Sequence, residues 1–127
     1  MASYEVSHFF LGRVSKLSNY NDFIEEYYGD DDDAPLSKFC ESQGEYYIDH
    51  DFMEVGEREE EPSLAAFFKS YSYSESWSTA VLEEALTLNL EDANVLIFIT
   101  KDQIEKPRTV KGDGFEIVYI GEFGYPI

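Results

Sequence analysis

Val95-Leu96-Ile97-Phe98-Ile99 is apolar at every position. A strand with one face in water alternates apolar and polar side chains, so five apolar residues in a row require cover on both faces or a place inside a sheet. Residues 115–120, with Val118 and Tyr119, read as a second strand. It lies beyond a charged connection, 101–114, that contains Pro107, Gly112 and four of the nine basic residues. Direct antiparallel pairing of the two is the simplest arrangement. Residues 4–11, rich in Val, Phe and Tyr and stopped at Gly12, add a strand near the start.

Helical signals occupy the middle. Ser18 or Asn19 can cap a helix whose stripe is Tyr20, Phe23, Ile24, Tyr27 and Tyr28, with Gly29 ending it. Pro35 restarts the chain into a short helix through Leu36, Phe39 and Cys40 that closes near Gly44, and Pro62 opens another with Leu64, Phe67 and Phe68. Residues 45–55 fit neither period and stand equally well as a short edge strand or an ordered loop. Ser72 and Glu75 have capping-box spacing, and the helix after them places Trp77, Val81, Ala85 and Leu88 on one face, widened by Leu82 and Leu86. Helices in the middle and strands at the end predict an α+β fold: a single domain over residues 1–127, with helices covering one face of a small, mainly antiparallel sheet.

Charge is distributed unevenly over this frame. Residues 22–61 hold 16 of the 27 acidic residues against only Lys38 and Arg58, so most of the net charge of −18 sits in one third of the chain. The 21 aromatic residues separate the chain from acidic disordered tails, which are poor in rings. Such a surface repels nucleic acid and anionic lipid, and no apolar run approaches the length of a membrane span. With one cysteine, Cys40, and no signal-peptide pattern over residues 1–5, a cytoplasmic location is the expectation.

No catalytic constellation emerges. His8, His50 and Cys40 lack metal-ligand spacing, residues 112–114 make a turn without the GK[ST] of a phosphate loop, and no serine sits in a nucleophile elbow. Asp49 and Asp51 at alternating positions, with Glu54 three residues on, could ligate a divalent ion. They lack the glycine and the oxygen count of a calcium loop, and a solvated acidic edge is the simpler reading. No cofactor is expected. Tyr27-Tyr28 and Tyr46-Tyr47 are each flanked by carboxylates, a combination that grips arginine and lysine by stacking and ion pairing, with one ring of each pair expected at the surface. Two acidic runs accompany them: Asp30, Asp31, Asp32 and Asp33, and then Glu59, Glu60 and Glu61. Like charge at this density destabilises a fold unless a cationic partner meets it. The expected partner surface is therefore the four tyrosines, both runs, and Asp49, Asp51 and Glu54.

These residues also resemble a family. The opening strand ending His8-Phe9-Phe10-Leu11-Gly12, the acidic helix at 22–28, Tyr47-Ile48-Asp49-His50-Asp51-Phe52, Tyr71-Ser72-Tyr73-Ser74-Glu75-Ser76-Trp77 and Tyr119-Ile120-Gly121-Glu122-Phe123 are similar to the Immunity protein 22 family of bacterial polymorphic-toxin systems over nearly the full length. The resemblance implies a non-enzymatic α+β protein that binds and neutralises a cognate toxin domain. The acidic surface fits that role if the toxin is a basic nuclease. An acidic mimic of nucleic acid that inhibits DNA-binding proteins and a small divalent-ion-binding protein are the alternatives.

Overall fold

The computed structural model describes residues 3–28 and 34–127. Five strands, β1 (Tyr4–Val14), β2 (Met53–Glu57), β3 (Val95–Thr100), β4 (Val110–Gly112) and β5 (Phe115–Pro126), form one sheet in the order β2-β3-β1-β5-β4. Every neighbouring pair is antiparallel. The α+β class is as expected, but the last two long strands do not pair with each other. The first strand lies between them, because its Phe9, Phe10 and Leu11 are the side chains that need cover on both faces, and all three are fully buried.

Four helices, α1 (Leu17–Ile24), α2 (Lys38–Ser42), α3 (Leu64–Phe68) and α4 (Ser74–Thr87), cover the sheet on both faces rather than one. Alternation along the strands decides which residue serves which layer. Phe9, Leu11, Leu96 and Phe98 face α3 and α4, while Phe10, Val95, Ile97 and Ile99 face α1 and α2. This split answers the demand set by the run 95–99: three of its side chains point one way and two the other. Phe9 stacks on its register partner Phe98 with ring centroids 4.9 Å apart, and Trp77 packs against both.

β5 changes face midway. Opposite the Phe9–Phe10 step the register slips by one residue, and Gly121 takes φ 132°, a conformation that side chains rarely adopt. Before the slip Phe115, Ile117 and Tyr119 belong to the α1/α2 layer; after it Phe123 and Tyr125 belong to the α3/α4 layer. A bulge of this kind exchanges the inward and outward sets of every later residue. One 12-residue strand thereby serves both cores.

Several local expectations give way to tertiary contacts. Lys16, not Ser18 or Asn19, is the N-cap of α1, and the Asn19 amide instead donates to the Asp113 carbonyl. Ser72 and Glu75 form no capping box: the N-cap of α4 is Tyr73, in the left-handed region at φ 59°, and Ser72 gives its N–H and hydroxyl to Glu54. Its carbonyl accepts the Trp77 indole N–H. Leu86 and Leu88 are exposed, and the buried contact after Ala85 comes from Leu90, carried back under the helix by a turn at Asn89. Ser37 and Ser63 cap the two short helices by accepting the N–H groups of Cys40 and Ala66.

Candidate partner-binding surface

The acidic third of the chain is irregular where it matters. α1 ends at Ile24, so Tyr27 and Tyr28 leave the helical stripe, and the chain runs extended beside residues 34–36. The Tyr27 N–H donates to the Leu36 carbonyl at 2.7 Å and the Leu36 N–H to the Tyr46 carbonyl at 2.8 Å. Leu36 is buried against the α1/α2 layer and so acts as the middle rung that sets the two tyrosine pairs side by side. All four rings are exposed, Tyr27 50%, Tyr28 72%, Tyr46 69% and Tyr47 57%, where one of each pair was expected to be. They are outside the core because Phe23, Leu36, Phe39 and Ile48 already fill it.

Carboxylates hold the hydroxyls of Tyr27 and Tyr28, and the charge of others reaches Tyr47. The Tyr28 hydroxyl donates to Glu26 at 2.5 Å, and that hydrogen bond pushes its pKa up to about 12. Tyr27 donates to Asp22 at 3.1 Å and Glu25 at 3.2 Å, and its pKa is likewise raised, most by Asp22. Asp22 also accepts from the Lys38 ammonium, which, ahead of Tyr27, holds the carboxyl below its usual range. Tyr47 is raised by the field of Asp49, then by burial of its surroundings, then by Asp51 and Glu26. His50 stands between Glu26, at 3.7 Å, and Asp51, at 3.6 Å. Glu26, Tyr28, Tyr47, Asp49, His50 and Asp51 thus form one continuous patch.

The remaining expected residues are placed elsewhere. The segment 45–55 resolves into both of its alternatives: a loop, a 3-10 turn at His50–Phe52 that Asp49 caps, and the edge strand β2. Glu54 turns to the opposite face of the sheet from Met53 and is held by Ser72, so the three carboxylates share no common point: Asp51 and Glu54 border one cleft, and Asp49 stands outside it. Among the described residues no group of three or more His, Cys, Asp or Glu could hold a metal ion. Glu59, Glu60 and Glu61 lie past the far end of β2, about 16 Å of strand away. There Arg58 donates to the carbonyls of Glu61, Glu91 and Ala93, while Glu61 accepts the Glu59 N–H. Asp30, Asp31, Asp32 and Asp33 lie outside the described residues.

Sequence reasoning missed Glu26 and His50 as members of the patch. The signal was present in the spacing, since Glu26 precedes Tyr28 by the two residues that bring an extended side chain back onto the same side. His8, the other histidine, is buried, with Nε2 donating to the Ile104 carbonyl at 3.1 Å and Nδ1 3.0 Å from the Tyr119 hydroxyl. That is the arrangement of a satisfied core histidine.

Fold and surface together define a small α+β protein with an open acidic and aromatic face. The sequence model of the Immunity protein 22 family matches residues 8–126 of 127, and the chain belongs to that family. The match agrees with the resemblance carried by the strand and helix-start segments and gives the chain an immunity role. No curated protein and no solved structure matches it. Among the described residues no helix is long and apolar enough to cross a membrane.

Proposed function

We propose that this protein binds and neutralises a cognate bacterial toxin protein in the cytoplasm, without catalysis and without a cofactor, and that the toxin is a basic nuclease. The observation that supports this most is the Leu36 rung, which sets four exposed tyrosines beside Asp22, Glu25, Glu26, Asp49 and Asp51. Exposed rings lose little side-chain entropy on docking, and the neighbouring carboxylates supply the charge that a nuclease's substrate groove is built to meet. Asp30, Asp31, Asp32 and Asp33 in the sequence, and Glu54, Glu59, Glu60 and Glu61 farther along it, complete the proposed partner-binding set by adding to the net negative charge that draws in a basic partner.

The test is coexpression with the protein encoded by the adjacent reading frame. Protection of the cells and a one-to-one complex are expected, and both should be lost in a Tyr28→Ala, Tyr47→Ala chain that keeps its thermal midpoint. Salt-sensitive binding to many unrelated basic proteins, with no preference for the neighbour, would instead establish the nucleic-acid mimic.

A further inference from the structure

A cleft of about 210 Å³ opens where the His50–Phe52 turn, the start of α4 and the outer ends of β1 and β5 meet. The volume falls below the roughly 300–1,000 Å³ of small-molecule sites, so a single side chain is a better match for it than a metabolite. Its walls are the half-exposed rings of Phe52 and Tyr73, with Tyr73 stacked on Tyr125 at 5.8 Å, and Glu5, Asp51 and Glu54 stand around it. Among the described residues none that lines it is basic. Glu54 is oriented in advance, its two oxygens taken by the Ser72 N–H at 2.9 Å and the Ser72 hydroxyl at 2.7 Å. The Tyr125 hydroxyl is 2.8 Å from the Ser7 hydroxyl, and its buried ring backs Tyr73, so that the exposed aromatic surface is that of Phe52 and Tyr73.

We propose that this cleft receives an arginine side chain of the toxin. The inference rests on the partner reading above and names the group that the partner inserts. Flat aromatic walls take the guanidinium plane by stacking, and carboxylates at the rim take its N–H fork, a combination that suits arginine better than the compact ammonium of lysine. Charge also selects this cleft over a larger one of about 710 Å³ bounded by Glu45, Glu105 and Glu122, because there Lys101 already pairs with Glu122 at 3.2 Å. Burial first, with Glu5 and Glu54 adding to it, raises the Tyr125 pKa, so both carboxylates act on the aromatic wall. The cleft is continuous with the tyrosine patch, since Asp51 both borders it and faces His50.

The experiment is an NMR titration of the full-length ¹⁵N-labelled chain with Nα-acetyl-arginine methylamide, its citrulline counterpart and its lysine counterpart. Saturable shifts are expected at residues 51–54, 72–74 and 125, absent with citrulline and about tenfold weaker with lysine. Phe52→Ala, and separately the pair Asp51→Asn and Glu54→Gln, should each weaken arginine binding about tenfold while the amide spectrum stays dispersed. In cells, Phe52→Ala should reduce protection. Shifts spread over the whole acidic surface, equal response to citrulline, indifference to these substitutions, or full protection by Phe52→Ala would each overturn the proposal. Failure of the unaltered chain to protect would instead strike the partner reading, and the titration separates the two.

Discussion

The side-chain amide of Gln43 closes on the backbone of Arg108 from both sides: Oε1 accepts the Arg108 N–H at 2.7 Å, and Nε2 donates to its carbonyl at 2.9 Å. Asn94 does the same to Val14, at 2.8 Å and 2.9 Å. Each amide replaces a missing strand neighbour. Gln43→Glu and Asn94→Asp keep the shape, remove the donor and set a carboxylate against a carbonyl. Each should cost about 1–3 kcal/mol in urea unfolding. A loss within the error of the measurement would show that water already serves these backbone groups.

Trp77 is 1% exposed and touches Phe9, Phe68 and Phe98. Trp77→Ala should destabilise by about 3–5 kcal/mol. Trp77→Phe keeps most of the ring contacts but strips the donor from the Ser72 carbonyl, and should cost clearly less. If phenylalanine proved as damaging as alanine, the hydrogen bond at 2.8 Å, rather than packing, would be the larger contribution.

Tyr28 provides a pH marker. Its folded pKa of about 12 lies above the ordinary value of 10.0, so the folded form holds the phenolic proton more tightly than the unfolded chain. The stabilisation is complete below pH 10 and is lost as pH rises toward 12. Absorbance titration of tyrosinate should lose a component near pH 12 in Tyr28→Phe. Glu26→Gln should move that component down toward 10, because the charged acceptor is its first cause. An unchanged titration curve in Glu26→Gln would sink the assignment.

Association with the toxin should be faster than the unsteered range of about 10⁵–10⁶ M⁻¹s⁻¹ at low salt, and should slow as salt screens the field. The two ends of β2 allow a regional test. Neutralising Glu26, Asp49 and Asp51 to amides should slow association and raise dissociation, since Glu26 bonds the Tyr28 hydroxyl and the charges of Asp49 and Asp51 act on Tyr47. Neutralising Glu59, Glu60 and Glu61 should affect mainly the on-rate and its salt slope. Stopped-flow measurement distinguishes them; identical effects on both rates from both sets would mean that the centre of the interface is elsewhere.

Much of the fold was legible in the sequence. The strand composition of 4–11, the unbroken apolar run 95–99 and the helical spacing of Trp77, Val81 and Ala85 are signals strong enough for burial to follow directly from pattern. What stayed hidden depends on partners distant in the chain. Ser72 has a capping residue's chemistry, yet Glu54 and Trp77 claim its groups. The slip at Gly121 has only that lone glycine as its local mark, and it decides which side of the sheet Phe123 and Tyr125 serve. Acid beside tyrosine was visible from spacing alone, but that the two pairs share a surface depends on Leu36, which the sequence presents only as one more apolar residue.

The central place of β1 sets a timetable for folding. Its partners are residues 95–100 on one side and 115–126 on the other, so during synthesis Phe9, Phe10 and Leu11 have no strand beside them until most of the chain has left the ribosome. Loops this long must close before their contacts repay the entropy, which makes for slow folding and a prolonged period with apolar surface in water. A dense negative charge in the segment synthesised between those strands sets like-charge repulsion against association of copies that still expose this surface.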